Sequence, residues 1–363
     1  MLKLKNKDLD IYLTKLANKL SEINRYNTFP NPSVGAVILK KNDEINYSFT
    51  GKGGSPHAEF NLLKNNKNKN IKKIFTSLEP CCHYGKNPPC TDLIIKNKIN
   101  QVITSAKDQD ERVKGKTKKI LNKKNISIKY LNLPTLSSTF HNFSKKNKIP
   151  YVVSKIAISS DGYTKHNSKR LFTGPLAIKF AHLLRYQSDS ILIGRKTLIE
   201  DNPKLNCRIP GLEKKLAVFI INKNLIFSKK ILKNKFLKKS YVFHSSKDLY
   251  KIKKLKKFFN LIYLDFETKN LQNLILNKIY SLGFVKLLIE GGSLTAKSFL
   301  EANLINEQYI IKNNKFFKKN GLIKANFFFK FKKKHLSSKI TVEDDVILNY
   351  KLKNVYRNNS RNS

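Results

Sequence analysis

The chain has 363 residues, enough for two domains of ordinary size, each with its own core. Its formal net charge is +47, from 72 Lys and Arg against 25 Asp and Glu, a balance that by itself suggests a nucleic-acid partner. Lys and Asn are spread over nearly every segment, however, and no aromatic pattern runs among them, so the charge reads as a drifted, solvated surface with no specific nucleic acid bound.

No window approaches the roughly 18 uninterrupted apolar residues of a membrane span, and Met1 to Asp8 hold no apolar h-region. A cytoplasmic protein without a membrane partner is expected. Leu9, Leu13, Leu16, Ala17 and Leu20 recur at helical spacing and predict an opening helix. A Pro/Asn turn, Phe29 to Ser33, leads into a strand over 34–39. Gly51 to Pro56 is a loop, and His57 to Leu63 reads as the first turns of a helix. Ile71 to Leu78 is a short strand that runs into a Cys- and Pro-rich segment. A helix near Thr91 and strands over 101–105 and 126–130 complete an alternating pattern, which predicts an α/β layered sheet.

A boundary falls between Pro134 and Pro150, giving expected domains of 1–145 and 146–355 with a disordered tail over 356–363. The second series has apolar strands at 151–158, 190–193, 216–221, 241–243, 261–264, 285–289, 307–311 and 345–352. It holds no G-x-G-x-x-G after a strand, so a Rossmann site is not supported. Glu290-Gly291-Gly292-Ser293 ends one strand and opens a helix, a turn at which backbone N–H groups can approach a phosphate.

Three of the four cysteines, Cys81, Cys82 and Cys90, cluster within ten residues, a pattern that points to metal rather than disulfides where no secretory signal is seen. Together with His57, two thiolates and one imidazole suit Zn²⁺. Three protein ligands leave the fourth tetrahedral position to a water, whose pKa the ion lowers towards 7. Glu59, two residues from His57, can lie beside that water without binding the metal and shuttle a proton to a departing amine.

His57-Ala58-Glu59 followed by Pro80-Cys81 resembles the cytidine-deaminase-like zinc deaminases, with their H-x-E…P-C-x-x-C signature. The longer loop here, Cys81-x-His83-x-Gly85-x-x-Pro88-Pro89-Cys90, is similar to the riboflavin-biosynthesis branch, the bifunctional pyrimidine deaminase/reductases. By that resemblance the single zinc is held by His57, Cys81 and Cys90, with Cys82 left out, and Asn31 in Asn31-Pro32-Ser33-Val34-Gly35 contacts the pyrimidine or its ribose. The family's Asp-Pro-Asn loop appears as Asp108-Gln109-Asp110, which keeps the first Asp and loses the Asn.

The second half resembles that family's reductase domain, with a dihydrofolate-reductase-like α/β fold that uses NADPH. The matching stretches are Lys155 to Gly162, His182 to Arg185, Gly194 to Thr197, Asp201 to Arg208 and Glu290 to Gly292. The resemblance implies that Ala157, Thr197, Asp201, Gly292, Ser293, Leu294 and Thr295 line the NADPH site. It implies too that Arg185, Leu205, Arg208 and Glu290 face the substrate, a phosphorylated pyrimidine, with Lys155 ordering the sugar or its water. Asn202, Asn206 and Leu171 stand where the family has Asp, Thr and Trp. A homo-oligomer, dimer or tetramer, is also expected. Two alternatives stay open: a monofunctional zinc deaminase with a degenerate second half, and an RNA-binding or RNA-editing deaminase.

Overall fold

The computed structural model describes residues 6–64, 70–85, 87–133, 135–168, 172–325, 331 and 333–352. The expected tail over 356–363 and Leu171 lie outside the described residues. The chain divides into two compact units, Met1–Ile149 and Pro150–Ser363. That split falls just after a helix that runs to Asn147, whereas the sequence boundary of 145/146 lies inside that helix.

In the first unit, the periodic apolar face predicted near the start forms α1 (Asn6–Ile23). β1 (Gly35–Lys40) and β2 (Ile45–Phe49) make an antiparallel hairpin, and β3 (Ile71–Thr76) pairs antiparallel with the other side of β1. β4 (Gln101–Thr104) and β5 (Ser127–Tyr130) continue in parallel, for a sheet order of β2-β1-β3-β4-β5. Strand alternation divides β1 between two cores. Val37 and Leu39 pack with Leu13 and Ala17 of α1, while Ala36 and Ile38 face Leu62 of α2 (Ala58–Lys64) and Ile94 of α3 (Cys90–Lys96). With both faces of the sheet covered, each fully buried Leu, Ile or Phe contributes about 1.5–3 kcal/mol. α4 (Lys116–Asn122) and α5 (Leu136–Asn147) complete the unit. The side chain of Thr135 accepts from the Ser138 amide and the Ser138 side chain accepts from the Thr135 amide, so a capping box starts α5.

The second unit is built on nine strands: β6 (Tyr151–Ile158), β7 (Ser190–Gly194), β8 (Ala217–Ile221), β9 (Tyr241–His244), β10 (Asn260–Tyr263), β11 (Lys286–Glu290), β12 (Glu307–Asn313), β13 (Leu336–Val342) and β14 (Asp345–Lys351). Their spatial order is β10-β9-β8-β7-β11-β6-β12-β14-β13, parallel from β10 to β12, with an antiparallel hairpin at the far edge. The helices between strands are α6 (Pro175–Tyr186), α7 (Arg195–Asp201), α8 (Lys229–Leu232), α9 (Leu249–Leu255), α10 (Leu271–Ser281) and α11 (Ser293–Glu301). β7, β11 and β6 are nearly continuous apolar runs because both faces of a parallel sheet are covered. Among the described residues no helix is long and apolar enough to cross a membrane.

Candidate active sites

In the first unit, the carboxyl end of β3 and the starts of α2 and α3 converge. His57 immediately precedes α2, Cys90 is the first residue of α3, and Cys81 lies in the loop between β3 and α3. That loop is held by Glu79 N–H donating to Ala106 O (2.9 Å) and Thr117 Oγ1 donating to Pro80 O (2.8 Å). His57 Nδ1 is 3.5 Å from the Sγ of Cys81 and 3.5 Å from that of Cys90, and the three ligand atoms all lie within 4.8 Å of one another. Zn–S and Zn–N bonds of about 2.3 and 2.05 Å at a tetrahedral angle separate N from S by about 3.6 Å, so the donor set fits zinc. The Cys82 thiol turns away and donates to Arg112 O at 3.3 Å.

The electrostatics of the cluster follow from crowding. The Cys81 thiol is drawn down to about 4, first by its hydrogen bond with Cys90 and then by His57, while Cys90 is pushed up by the same bond and by burial. His57 is raised, chiefly by hydrogen bonding to Cys81. Glu59 is only 3% exposed, and burial pushes its carboxyl up. The Asn31 amide donates to Gly54 O at 3.0 Å, which braces the loop leading into His57. Gly54 is obligatory there: its φ is +77°, and a Cβ would fall 2.5 Å from Thr28 O.

The Asp108–Asp110 loop is anchored by α5, a helix absent from the sequence reading. His141 Nε2 pairs with Asp108 Oδ1 at 3.2 Å, and Lys145 Nζ with Asp110 Oδ2 at 2.9 Å. Arg112 grips the same Asp110 carboxylate with two N–H groups, at 2.9 and 2.7 Å. Burial raises the Asp110 carboxyl, but these donors outweigh it and hold it well below the usual range.

In the second unit, a cavity of about 1250 Å³ opens at the carboxyl ends of the parallel strands. It is lined by Lys155 and Ala157 from β6, Arg185 from α6, Thr197 and Asp201 from α7, Leu205 and Arg208 from the next loop, and Glu290 from β11. Gly292, Ser293, Leu294 and Thr295 complete the wall at the β11–α11 turn. All the reductase-side residues singled out in the sequence therefore meet in one place. Gly291 has φ +85°, and a Cβ on it would lie 2.5 Å from Thr197 Cγ2, so the turn is a close-packed cradle open to backbone N–H groups.

Glu290 is the electrostatic centre of this cavity. Its carboxylate accepts from Arg185 Nε (2.7 Å) and Nη2 (2.8 Å) and from Lys155 Nζ (2.9 Å). Burial raises the carboxyl, but the two cations hold it far below the ordinary range. Arg185 Nη1 also donates to Asn206 O at 3.2 Å, so each of its three nitrogens is engaged by the protein. Its neighbour His182 is held down to about 4 by burial and by Arg185 and Arg208, and its Nδ1 accepts from the Arg208 amide at 3.2 Å.

Comparison with known proteins gives these two sites a common context. Residues 7–106 match the cytidine and deoxycytidylate deaminase zinc-binding region, and residues 150–317 match the RibD C-terminal domain. The chain is 31% identical over 306 residues to the riboflavin biosynthesis protein RibD of Aquifex aeolicus, covering 81% of this chain and 84% of that one. It belongs to the RibD family. RibD of Buchnera aphidicola is 29% identical over 327 residues, covering 83% of this chain and 86% of that one. The solved structure of RibD from Acinetobacter baumannii superposes with a TM-score of 0.81 at 25% identity, covering 96% of this chain and 99% of that chain.

This RibD-family chain is thus an enzyme of riboflavin biosynthesis, with a zinc-dependent deaminase unit of cytidine-deaminase-like fold and an NADPH-dependent reductase unit of dihydrofolate-reductase-like fold. One departure from the RibD pattern has a local cause. Asn202 sits at the end of α7 with φ +40°, a conformation Asn tolerates, and its Oδ1 accepts from Asn234 Nδ2 at 2.8 Å. His141, His166, Phe172, Lys196 and Lys230 touch these sites but were not singled out in the sequence. The lysines carry no signal among 72 basic residues, and the other three lie in segments without periodicity.

Proposed function

We propose that this chain acts on 2,5-diamino-6-ribosylamino-4(3H)-pyrimidinone 5′-phosphate, removing the ring amino group and then reducing the ribosyl side chain to ribityl. The Thermotoga maritima protein described as a diaminohydroxyphosphoribosylaminopyrimidine deaminase/5-amino-6-(5-phosphoribosylamino)uracil reductase shares the fold. The observation that carries the reading is the His57–Cys81–Cys90 triad with Glu59 buried beside it. Zinc bound by those three side chains supplies an acidified water and a Lewis acid at the amino-bearing carbon. Glu59 holds the proton that the departing amine requires, and burial raises its carboxyl above the usual carboxylate range. Asn31 sets the loop against which the pyrimidine rests.

In the second unit NADPH supplies the hydride. The Gly291–Gly292 turn and the start of α11 would hold its phosphates, and Thr197 and Asp201, which line the same cavity, would contact it. Arg208, exposed at the cavity, takes the sugar phosphate, because Arg185 is committed to Glu290 and Asn206. Glu290 holds Lys155 and Arg185 in place beside the sugar. The convergence of these residues on one cavity favours two working halves over a degenerate second half. The same reading places the enzyme in the cytoplasm as a homo-oligomer, and the open edge of β13, with Ile340 exposed, favours a second copy there. Incubating the protein with the diaminopyrimidine phosphate, with and without NADPH, tests the reading. Ammonia should appear in both cases and NADPH oxidation only after deamination; release of ammonia with no NADPH oxidation would leave a deaminase alone.

A further inference from the structure

The segment that carries Leu205 and Arg208 into the reductase cavity is held in a costly backbone conformation. Leu205 has φ +54°, in the left-handed region that a bulky side chain rarely adopts, and it is buried in the core of the unit. Such a residue persists only where its surroundings over-determine it. Before Leu205, Asn234 Nδ2 donates to Asn202 Oδ1 at 2.8 Å and to Pro203 O at 3.3 Å. After it, Cys207 and Lys214 exchange backbone hydrogen bonds of 2.9 and 3.3 Å. Two further anchors come from α6: Arg185 Nη1 donates to Asn206 O, and His182 Nδ1 accepts from the Arg208 N–H at 3.2 Å.

His182 and Arg185 stand three positions apart on α6, so they can serve the same loop. Arg185 is occupied with Glu290 as well, whereas His182, 8% exposed and lining the cavity, has had no part in the reaction so far. To accept the amide its Nδ1 must carry a lone pair, which puts the single proton of a neutral ring on Nε2. Burial, then Arg185 and Arg208, keep the ring in that neutral form. A carboxylate at this place would also accept the amide, but it would pair with Arg208 and withdraw the guanidinium from an anion in the cavity. A neutral acceptor fixes the main chain of Arg208 and leaves its exposed side chain, bonded to the neutral Asn206 Oδ1 at 2.9 Å, able to exchange that partner for a phosphate.

We propose that His182 is the positioning residue for Arg208, fixing the loop from Leu205 to Arg208 so that the guanidinium meets the sugar phosphate. The proposal rests on the reading that Arg208 takes that phosphate, and the test separates the two statements.

The test is steady-state reduction of the deaminated pyrimidine phosphate by the full chain, with calorimetric titration of NADP⁺ alongside. His182→Leu strands the Arg208 N–H and should raise KM for the pyrimidine about five- to tenfold, with kcat and the Kd of NADP⁺ within about twofold. His182→Gln, whose Oε1 can accept the same amide, should recover most of that loss. His182→Glu should not, because its charge captures Arg208. Because His182 acts through Arg208, His182→Leu/Arg208→Ala should be no worse than Arg208→Ala alone. A KM that rises in Arg208→Ala but not in His182→Leu, or effects that multiply in the double variant, overturn the positioning role and leave Arg208 as a phosphate ligand. A KM unchanged in Arg208→Ala overturns the phosphate reading, and this proposal with it. Parallel weakening of NADP⁺ and pyrimidine in His182→Leu would make His182 a structural residue of the whole cavity and also overturns it. The Gln and Glu variants are matched in size, so equal KM values in that pair overturn the proposal even where His182→Leu is unstable.

Discussion

Removal of the Glu290 carboxylate should destabilise the second unit far more than a surface charge change. Glu290 is 7% exposed, and its two cationic partners, Arg185 and Lys155, each have side chains 14% exposed. Glu290→Ala leaves both cations buried without a counter-charge, a loss on the order of 3–5 kcal/mol. For a unit of this size each kcal/mol corresponds to about 2–4 °C, so the melting temperature should fall by about 6–20 °C. The chain has no Trp, so ellipticity is the suitable probe. Glu290→Gln, which keeps an acceptor oxygen, should lose less, and adding Lys155→Gln to it should restore part of the loss because one stranded cation is gone. The effect should depend on pH with a definite sign. The folded carboxyl titrates below its unfolded value near 4.3, so its contribution is present above that pH and declines as the pH falls. Between pH 5 and 3.5 the gap between wild type and Glu290→Gln should shrink by about 1 kcal/mol. A Glu290→Ala protein within 1 kcal/mol of wild type at pH 7, or a gap that stays constant across that range, would refute the account.

Zinc content by mass spectrometry should be about one per chain and should vanish in His57→Ala, Cys81→Ser and Cys90→Ser but persist in Cys82→Ser. Zinc retained without Cys90 and lost without Cys82 would reverse the choice of thiolate. Glu59→Gln should keep zinc while deamination drops by a factor on the order of 10² or more, and near-normal turnover in the loaded variant would remove Glu59 from proton transfer. Arg208→Ala should raise KM for the reduction by about tenfold with little change in kcat, since it removes binding common to ground and transition states. A fall in kcat at unchanged KM would give Arg208 a different role.

The zinc site was legible in the sequence because its ligands sit on two short segments, each next to a helix start, and local spacing encodes their geometry. The Glu290 cluster was only partly so. Each member was singled out, but Arg185 lies 105 positions from Glu290, and only the fold brings its guanidinium within 2.7 Å of that carboxylate. Among secondary elements, the buried strands β6, β7, β8 and β11 announced themselves as apolar runs. β13 did not: its inner residues 337–341 are all exposed, so it lacks the alternation that marks a half-buried strand. α5 was read as linker because Ser, Thr, Asn and Lys dominate it. Its helical state depends on the Thr135–Ser138 capping box and on His141 and Lys145 docking to the Asp108–Asp110 loop, which are tertiary facts.

The position of β6 has a consequence for how the chain comes to be folded as it is made. β6 is the first strand of its unit to be synthesised, yet its two sheet neighbours are β11 and β12. About 130 residues separate its end at Ile158 from the start of β11 at Lys286, which at 5–20 residues per second is a wait on the order of ten seconds. Throughout that interval Tyr151–Ile158 is an apolar strand with both hydrogen-bonding edges bare, the feature that invites wrong pairing. The first unit faces no such delay, since β1 meets β2 within a few residues and its sheet closes by Tyr130. A chain stopped at about residue 285 should therefore carry a protease-resistant first unit followed by a segment that aggregates or is digested. Protease resistance in that second segment would mean that β7 to β10 form a stable sheet before the central strand arrives.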